Sequence, residues 1–230
     1  MVMGYEDLPG RLAEIRERIA RAQARGGFAH PVTIIAVTKS HGPEAVRAAM
    51  AAGLTDVGEN RVQEALAKQD EIGLEAVGWH LIGSLQRNKA RQVLGRFRLI
   101  HSVDREELAE ALDRRAAAAG RQRVLVEVNC SGEAQKGGVG PESAPALVAS
   151  IIAKPGLEFR GLMTMAALSD DERVQRAAFG RLRGLKQALE SAGTPVAELS
   201  MGMSGDFEAA VEEGATMVRL GTILFGRREP

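Results

Sequence analysis

The sequence predicts an α/β protein, a single closed (β/α)8 TIM barrel with one extra helix at its N-terminus. After Gly27, eight short β-branched runs alternate with longer stretches rich in Ala, Leu and charge, at roughly 25 residues per βα unit. No Pro/Ser linker or shift in composition divides the 230 residues, so residues 1–230 read as one domain with the 1–27 helix packed on it. An open doubly wound sheet fits the same alternation. The count of eight strands favours the barrel, as does the lack of a Gly-x-Gly-x-x-Gly turn after the first strand.

In chain order, residues 5–25 read as an amphipathic helix. Leu8, Leu12, Ile15 and Ile19 recur at helical spacing, the Glu14/Arg18 and Glu17/Arg21 pairs lie four apart on the polar face, and Gly26-Gly27 ends it. Strands are expected at 32–38, 56–58, 79–82, 99–103, 124–129, 159–164, 198–201 and 217–220. Between them, Asp104 with Glu107 and Ser169 with Glu172 have the spacing of capping boxes. Pro43 and Pro141 stand where a first helical turn would begin. Gly53, Gly73, Gly120, Gly193 and Gly214 fall at the expected helix ends.

Composition narrows the function classes. With 30 Lys+Arg against 30 Asp+Glu, the chain offers no electrostatic footprint for nucleic acid or an anionic membrane. Six Phe, one Tyr and one Trp are too few for base-stacking platforms. Hydrophobic residues make up 45%, too many for a disordered chain. No apolar run approaches the roughly 18 residues of a membrane span, and no targeting segment is visible in the first 27 residues. The single cysteine, Cys130, calls for no oxidising compartment, so a cytoplasmic protein is expected. His30, His41, His80 and His101 lack metal-ligand spacing, and no metal is expected.

In a barrel, chemistry collects where strands end and βα loops begin. Lys39 closes the first strand, and alternation places Ile35, Val37 and Lys39 on one face. Its ammonium would sit at the barrel mouth, and partial desolvation there would ready the amine to attack a carbonyl; a solvated lysine at a strand end is the plain alternative. The seventh strand runs into Ser200-Met201-Gly202-Met203-Ser204-Gly205-Asp206 and the eighth into Arg219-Leu220-Gly221-Thr222. The loops after strands seven and eight are where barrels commonly bind phosphate. Gly202 and Gly205 would let backbone approach a ligand, and Ser204 with nearby free N–H groups can hold an anion. An aldehyde-reactive lysine and a phosphate seat in one mouth suit pyridoxal 5′-phosphate (PLP) or a phosphorylated sugar aldehyde. If Arg219 faces inward, it would leave a pyridine nitrogen unprotonated and the electron sink weak.

These residues carry a family resemblance. The chain resembles the pyridoxal phosphate homeostasis proteins (YggS/PROSC type), which share a barrel with the N-terminal domain of bacterial alanine racemase. The matching segments are Ala36-Val37-Thr38-Lys39, Gly58-Glu59-Asn60-Arg61-Val62-Gln63-Glu64 and Trp79-His80-Leu81-Ile82-Gly83-Ser84-Leu85-Gln86-Arg87-Asn88-Lys89. Further matches are Val128-Asn129 with Ser131-Gly132-Glu133 and Lys136-Gly137, then Gly161-Leu162-Met163-Thr164-Met165. The last are Ser200-Met201-Gly202-Met203-Ser204 with Asp206, and Val218-Arg219-Leu220-Gly221-Thr222 with Phe225-Gly226. Leu81 stands where an aromatic or Met is common, and Ala215 where Ser is frequent.

The resemblance implies PLP held as an internal aldimine on Lys39, phosphate contacts from Ser204, Gly221, Thr222 and nearby backbone, Arg219 beside the pyridine nitrogen, and Asn60 lining the pocket. Met201 and Gly205, in the same turn as Ser204, complete the expected cofactor-binding set. It further implies a non-catalytic role in PLP homeostasis, buffering the cofactor and delivering it to PLP-dependent apo-enzymes. A PLP-dependent amino-acid racemase is the runner-up. Alanine racemase draws its second acid/base tyrosine from a domain this chain lacks, and the only tyrosine here, Tyr5, falls in the N-terminal helix. A Schiff-base aldolase is more distant, because the sixth strand carries Met163-Thr164-Met165 where such aldolases place lysine. Lys136, on a glycine-flanked loop, is a candidate second acceptor during transfer. Met163, Met165, His80 and Cys130 read as core residues. A barrel without a covering domain is expected to stand as a monomer.

Overall fold

The computed structural model describes residues 5–116, 120–133 and 135–226. Helix α1 (Leu8–Gly26) precedes β1 (Thr33–Val37), α2 (Pro43–Ala51), β2 (Asp56–Glu59), α3 (Val62–Ile72) and β3 (Gly78–Leu81). A 3-10 turn (Arg87–Lys89) then leads into α4 (Ala90–Val93), β4 (Leu99–Val103), α5 (Glu106–Ala116), β5 (Gln122–Glu127) and α6 (Ala144–Ile152). The chain continues through β6 (Leu157–Met163), α7 (Glu172–Ser191), β7 (Glu198–Met203), α8 (Phe207–Glu212), β8 (Met217–Leu220) and α9 (Thr222–Phe225). The strands close in sequence order into a barrel, and β8 pairs parallel with β1 through Thr33–Met217 and Ile35–Arg219. All eight expected strands are present within a few residues, in the expected architecture.

Alternation along the strands sorts side chains into two cores. Outward residues such as Trp79, Leu81, Leu199 and Met201 are buried against the helical layer, with Phe179, Phe207 and Phe225 filling the space between. Inward residues Ile35, Leu99, Leu125, Met163 and Met217 form a separate apolar plug inside the barrel, as expected for interior positions of a packed barrel. Gly58 belongs to this packing, since a Cβ there would come within 2.9 Å of the Ile35 side chain. Helix α1 lies across α8 and α9: Arg18 pairs with Glu208 at 2.7 Å and sits over the Phe207 ring, while Arg11 donates to the Leu224 carbonyl at 2.9 Å. At Gly26 a side chain would strike the Glu212 backbone.

The helix-end signals are partly revised. Pro43 opens α2, and the five glycines expected at helix ends all adopt positive φ. The cap of α7 is Asp171, which accepts the Arg173 N–H at 2.9 Å, and Ser169 lies outside the helix, accepting the Asp171 N–H. Pro141 lies in a turn, and Pro145 occupies the first turn of α6. Helix α5 begins at Glu106, where the Arg105 carbonyl accepts the N–H groups of Leu108 and Ala109, and the Asp104 carboxylate pairs with Arg105.

One buried ion pair ties the ends of β1 and β2 together. The Lys68 ammonium on α3 donates to Glu59 Oε1 at 2.5 Å and to the Thr38 carbonyl at 2.7 Å, and the Thr38 hydroxyl donates to the same Glu59 oxygen. Thr38, Glu59 and Lys68 are all buried, and Glu59 Oε2 has no hydrogen-bond partner. Lys68 is therefore the one counter-charge in contact with this carboxylate among the described residues. Removing one member of a buried pair strands the other charge. Lys68→Met is expected to cost about 3–5 kcal/mol of unfolding free energy in urea titrations, and adding Glu59→Gln should recover much of that loss.

Candidate functional site

That tie fixes the backbone just before Lys39, which stands at the barrel mouth. Thr38 is pinned by Lys68 and by its N–H to the Gly58 carbonyl at 3.1 Å. Ser40 then takes a left-handed conformation with φ 61°, which is uncommon for a residue with a Cβ. The turn leaves Lys39 exposed, with no ion-pair or hydrogen-bond partner among the described residues. The expected partial desolvation of Lys39 is not seen: its amine stands in the open mouth. On β2 the same alternation that buries Glu59 outward turns Asn60 inward. Gly83 packs so closely on the Asn60 backbone that a side chain would collide with it.

Lys39 and Asn60 share a cavity of about 470 Å³ with Ser204, Gly205, Arg219, Gly221 and Thr222. This places seven of the eight expected cofactor-binding residues together. Met201 is the exception, since its side chain is fully buried between barrel and helices. The reason is a register shift between Ser200 and Met203 in the β7–β8 pairing, with Gly202 at φ 93°. Past this bulge Met203 becomes exposed and lines the cavity in place of Met201. Of the two methionines near the end of β6, Met163 is core as expected, but Met165 lines the cavity.

At one side of the cavity, the N–H groups of Gly221 and Ile223 converge on the Ser204 hydroxyl oxygen at 3.3 Å each. The turn carrying Ser204 is closed by Asp206, whose carboxylate accepts the Met203 N–H at 2.5 Å. Two backbone donors and a hydroxyl on one point make an anion seat. Arg219 enters from β8. It is buried, donating from Nη1 to Ser200 Oγ at 2.7 Å and from Nη2 to the Thr164 carbonyl at 2.9 Å. Burial lowers its pKa to about 10, opposed by Asp206 and Glu127, so it remains a cation at neutral pH.

Several site features were missed. Glu127, the last residue of β5, is buried. Burial first, then the Asp104 charge, raise its pKa to about 7 against the pull of Arg219; an inward glutamate at a strand end was the available signal. His41 lines the cavity, and the Tyr5 hydroxyl lies 3.3 Å from its Nδ1 while the Tyr5 ring meets Phe225 edge-on. Tyr5 thus sits just before α1, against the mouth. Lys136 does not line the cavity: its ammonium is held by Glu133 at 2.6 Å and the Ala166 carbonyl at 2.7 Å. Cys130 is buried, which raises its thiol pKa.

An open primary amine, an anion seat and a buried guanidinium around one cavity at the C-terminal end of a closed barrel define the class of barrel found in the alanine racemase N-terminal domain. The model of that family, "Alanine racemase, N-terminal domain", matches residues 11–229. The chain belongs to the pyridoxal phosphate homeostasis protein family. It is 45% identical over 220 residues to the Pseudomonas aeruginosa protein of that name, covering 95% of this chain and 94% of the relative. It is 41% identical over 222 residues to the Aquifex aeolicus protein, covering 95% and 97%. Among solved structures, PipY of Synechococcus elongatus with PLP bound superposes with a TM-score of 0.83 at 39% identity, covering 95% of this chain and all of that one. An alanine racemase from Clostridium difficile shares the fold at a TM-score of 0.77 and 16% identity, this chain spanning 61% of it. Among the described residues no helix is long and apolar enough to cross a membrane.

The raised pKa of Glu127 has a pH signature. Its folded-state value of about 7 lies above the ordinary glutamate value of 4.5, so between the two the folded protein holds a proton there that the unfolded chain releases. Its contribution to stability is complete below about pH 4.5 and is lost as pH rises through about 7, to a limit of ~3 kcal/mol. Glu127→Gln should remove that decline, and denaturant midpoints for the two proteins should diverge with rising pH.

Proposed function

We propose that this chain binds PLP and serves its intracellular homeostasis, holding the cofactor on Lys39 for buffering and delivery to apo-enzymes without turning over a substrate of its own. The observation that carries this reading is the pairing, in one cavity of about 470 Å³, of an exposed Lys39 amine that has no partner among the described residues with the seat at Ser204, Gly221 and Thr222. The volume falls within the range of small-molecule sites. The family name carried by its relatives and the PLP bound in PipY support the same reading.

PLP supplies an aldehyde that condenses with amines and a pyridine ring that can draw electrons. Ser204 and the N–H groups of Gly221 and Ile223 provide hydrogen-bond donors for the phosphate, with the Thr222 hydroxyl beside them. Lys39 presents its amine to the aldehyde end, and Asn60, Met165 and Met203 bound the cavity walls. Arg219, fixed as a cation, has N–H groups to donate and no lone pair to accept a proton. Opposite a ring nitrogen it would keep that nitrogen unprotonated, which favours holding the cofactor over carbanion chemistry. The exposed lysine and open mouth suit exchange, as a buffer requires. We read the protein as a cytoplasmic monomer whose partners are PLP and recipient apo-enzymes.

Racemisation is the second reading, and the Tyr5–His41 contact at the mouth favours it. Proton NMR with L-alanine in D2O separates the two. The carrier reading expects no loss of the α-proton signal above that of Lys39→Ala, whereas rapid Lys39-dependent loss would make the protein a racemase-like enzyme. Borohydride trapping with peptide mapping should place PLP on Lys39, and Lys39→Ala should abolish both the label and the visible absorbance. Ser204→Ala should weaken PLP binding about tenfold in equilibrium dialysis; unchanged affinity would remove the phosphate seat from the proposal.

A further inference from the structure

A chain of buried hydrogen bonds runs through the barrel from the cavity to its opposite end. Arg219 Nη1 donates to Ser200 Oγ at 2.7 Å, and Ser200 Oγ lies 2.9 Å from His101 Nδ1. His101 Nε2 lies 2.9 Å from His80 Nδ1, and His80 Nε2 lies 2.9 Å from Asp56 Oδ1. All five side chains are buried. At the floor, Asp56 also accepts from Arg98 at 2.7 Å and from the Thr55 hydroxyl at 2.7 Å. A second cavity, of about 160 Å³, opens there beside Asp56 and His80, lined also by Arg123, Arg160 and Glu198.

With the His80 ring uncharged, the two ends set where every proton lies. Burial opposes it, but hydrogen bonds from His80 and Thr55 and the electrostatic pull of His80 and Arg98 hold Asp56 below the usual carboxyl range, so Asp56 only accepts. His80 Nε2 therefore carries a proton, and in the neutral ring Nδ1 is an acceptor. His101 must then donate from Nε2. Burial, with His80 and Arg219 nearby, holds His101 well below the usual imidazole range, so its Nδ1 bears a lone pair and takes the Ser200 hydroxyl proton. The Ser200 oxygen is left to accept from Arg219, which can only donate. Both histidines are single tautomers, and every bond points from Arg219 toward Asp56.

We infer that Asp56, His80, His101 and Ser200 form a positioning relay that fixes the orientation of Arg219, so that the floor of the barrel determines which guanidinium N–H groups are presented to the cofactor cavity. Ser200 and the Thr164 carbonyl engage two of the five N–H bonds, leaving the others for the cavity or for the carboxyl groups of Glu127 and Asp206 that act on it. If Asp56 no longer fixed His80, the histidine tautomers would be free to invert. Ser200 Oγ would then share its lone pairs between donors from His101 and Arg219 while its own proton lost its acceptor, and the guanidinium would be held less firmly. The coupling to bound ligand rests on the PLP reading above; the relay itself does not.

The test has two parts. Nitrogen-15 NMR of the histidines in the ligand-free protein should find the ring proton of His80 and of His101 on Nε2. A charged ring or an Nδ1–H tautomer at either residue overturns the relay, whether or not PLP binds and whether or not any variant folds. In the PLP-loaded protein, Asp56→Ala and Ser200→Ala should each shift the visible absorbance and weaken PLP binding roughly two- to tenfold. The double variant should be no worse than Ser200→Ala alone, because the link is already cut. Asp56→Asn, which keeps the accepting oxygen, should recover most of the loss. Additive effects, or an unaltered spectrum and affinity in Asp56→Ala, would reject the coupling. Failure of the wild-type protein to bind PLP, with the expected tautomers present, would reject the cofactor reading alone.

Discussion

The mouth of this barrel depends on a charge it hides. Lys68 reaches from α3 under the ends of two strands and holds Glu59 and the Thr38 carbonyl at once. In water such a pair would be worth little; buried, each partner is intolerable without the other. That constraint fixes the last turn of backbone before Lys39 and, through the alternation of β2, sends Asn60 the opposite way from Glu59. Lys39 stands exposed at the mouth, without an ion-pair or hydrogen-bond partner among the described residues, above a neighbouring lysine that is buried and paired.

Inside the barrel the lining changes character with depth. An apolar plug of Ile35, Leu99, Leu125, Met163 and Met217 fills one part, yet a polar thread of His80, His101, Ser200 and Arg219 passes through the same interior. A polar group in such a place must have every bond satisfied, and here each group's acceptor is the next group's donor. A guanidinium can be buried at the cavity because its charge is answered by Glu127 and Asp206 nearby and, along the thread, by Asp56. Burial in turn raises the pKa of the Glu127 carboxyl to about 7, against the pull of that same guanidinium.

Much of this was legible in the chain. Strand number, barrel closure, the lysine after β1 and the two glycine-containing turns after β7 and β8 all follow from local patterns that the fold leaves intact. What escaped reading depended on non-local geometry. Met201 and Met203 are two residues apart, and simple alternation treats them alike; only the register shift at Gly202, set by pairing with β8, separates their destinations. His80 and His101 lie on adjacent strands, but their contact through Nδ1 and Nε2 needs the inward face of both. Tyr5 falls within the helix expected over 5–25, whereas the packing of α1 across α8 and α9 brings the segment before it against His41. Ser169 has capping spacing, but Asp171 is closer to the first turn and outcompetes it.

The closure of β8 on β1 has a consequence for biosynthesis. The cavity straddles that seam: Lys39 and Asn60 come from the first third of the chain, and Ser204, Arg219, Gly221 and Thr222 from its last eighth. A ribosome-bound chain therefore exposes its lysine long before the residues across the seam exist, and the most distant strand pairing in the sequence must form to complete the pocket. Ligand capacity arrives only with the finished barrel, so a truncated or stalled product keeps the lysine but lacks the cradle.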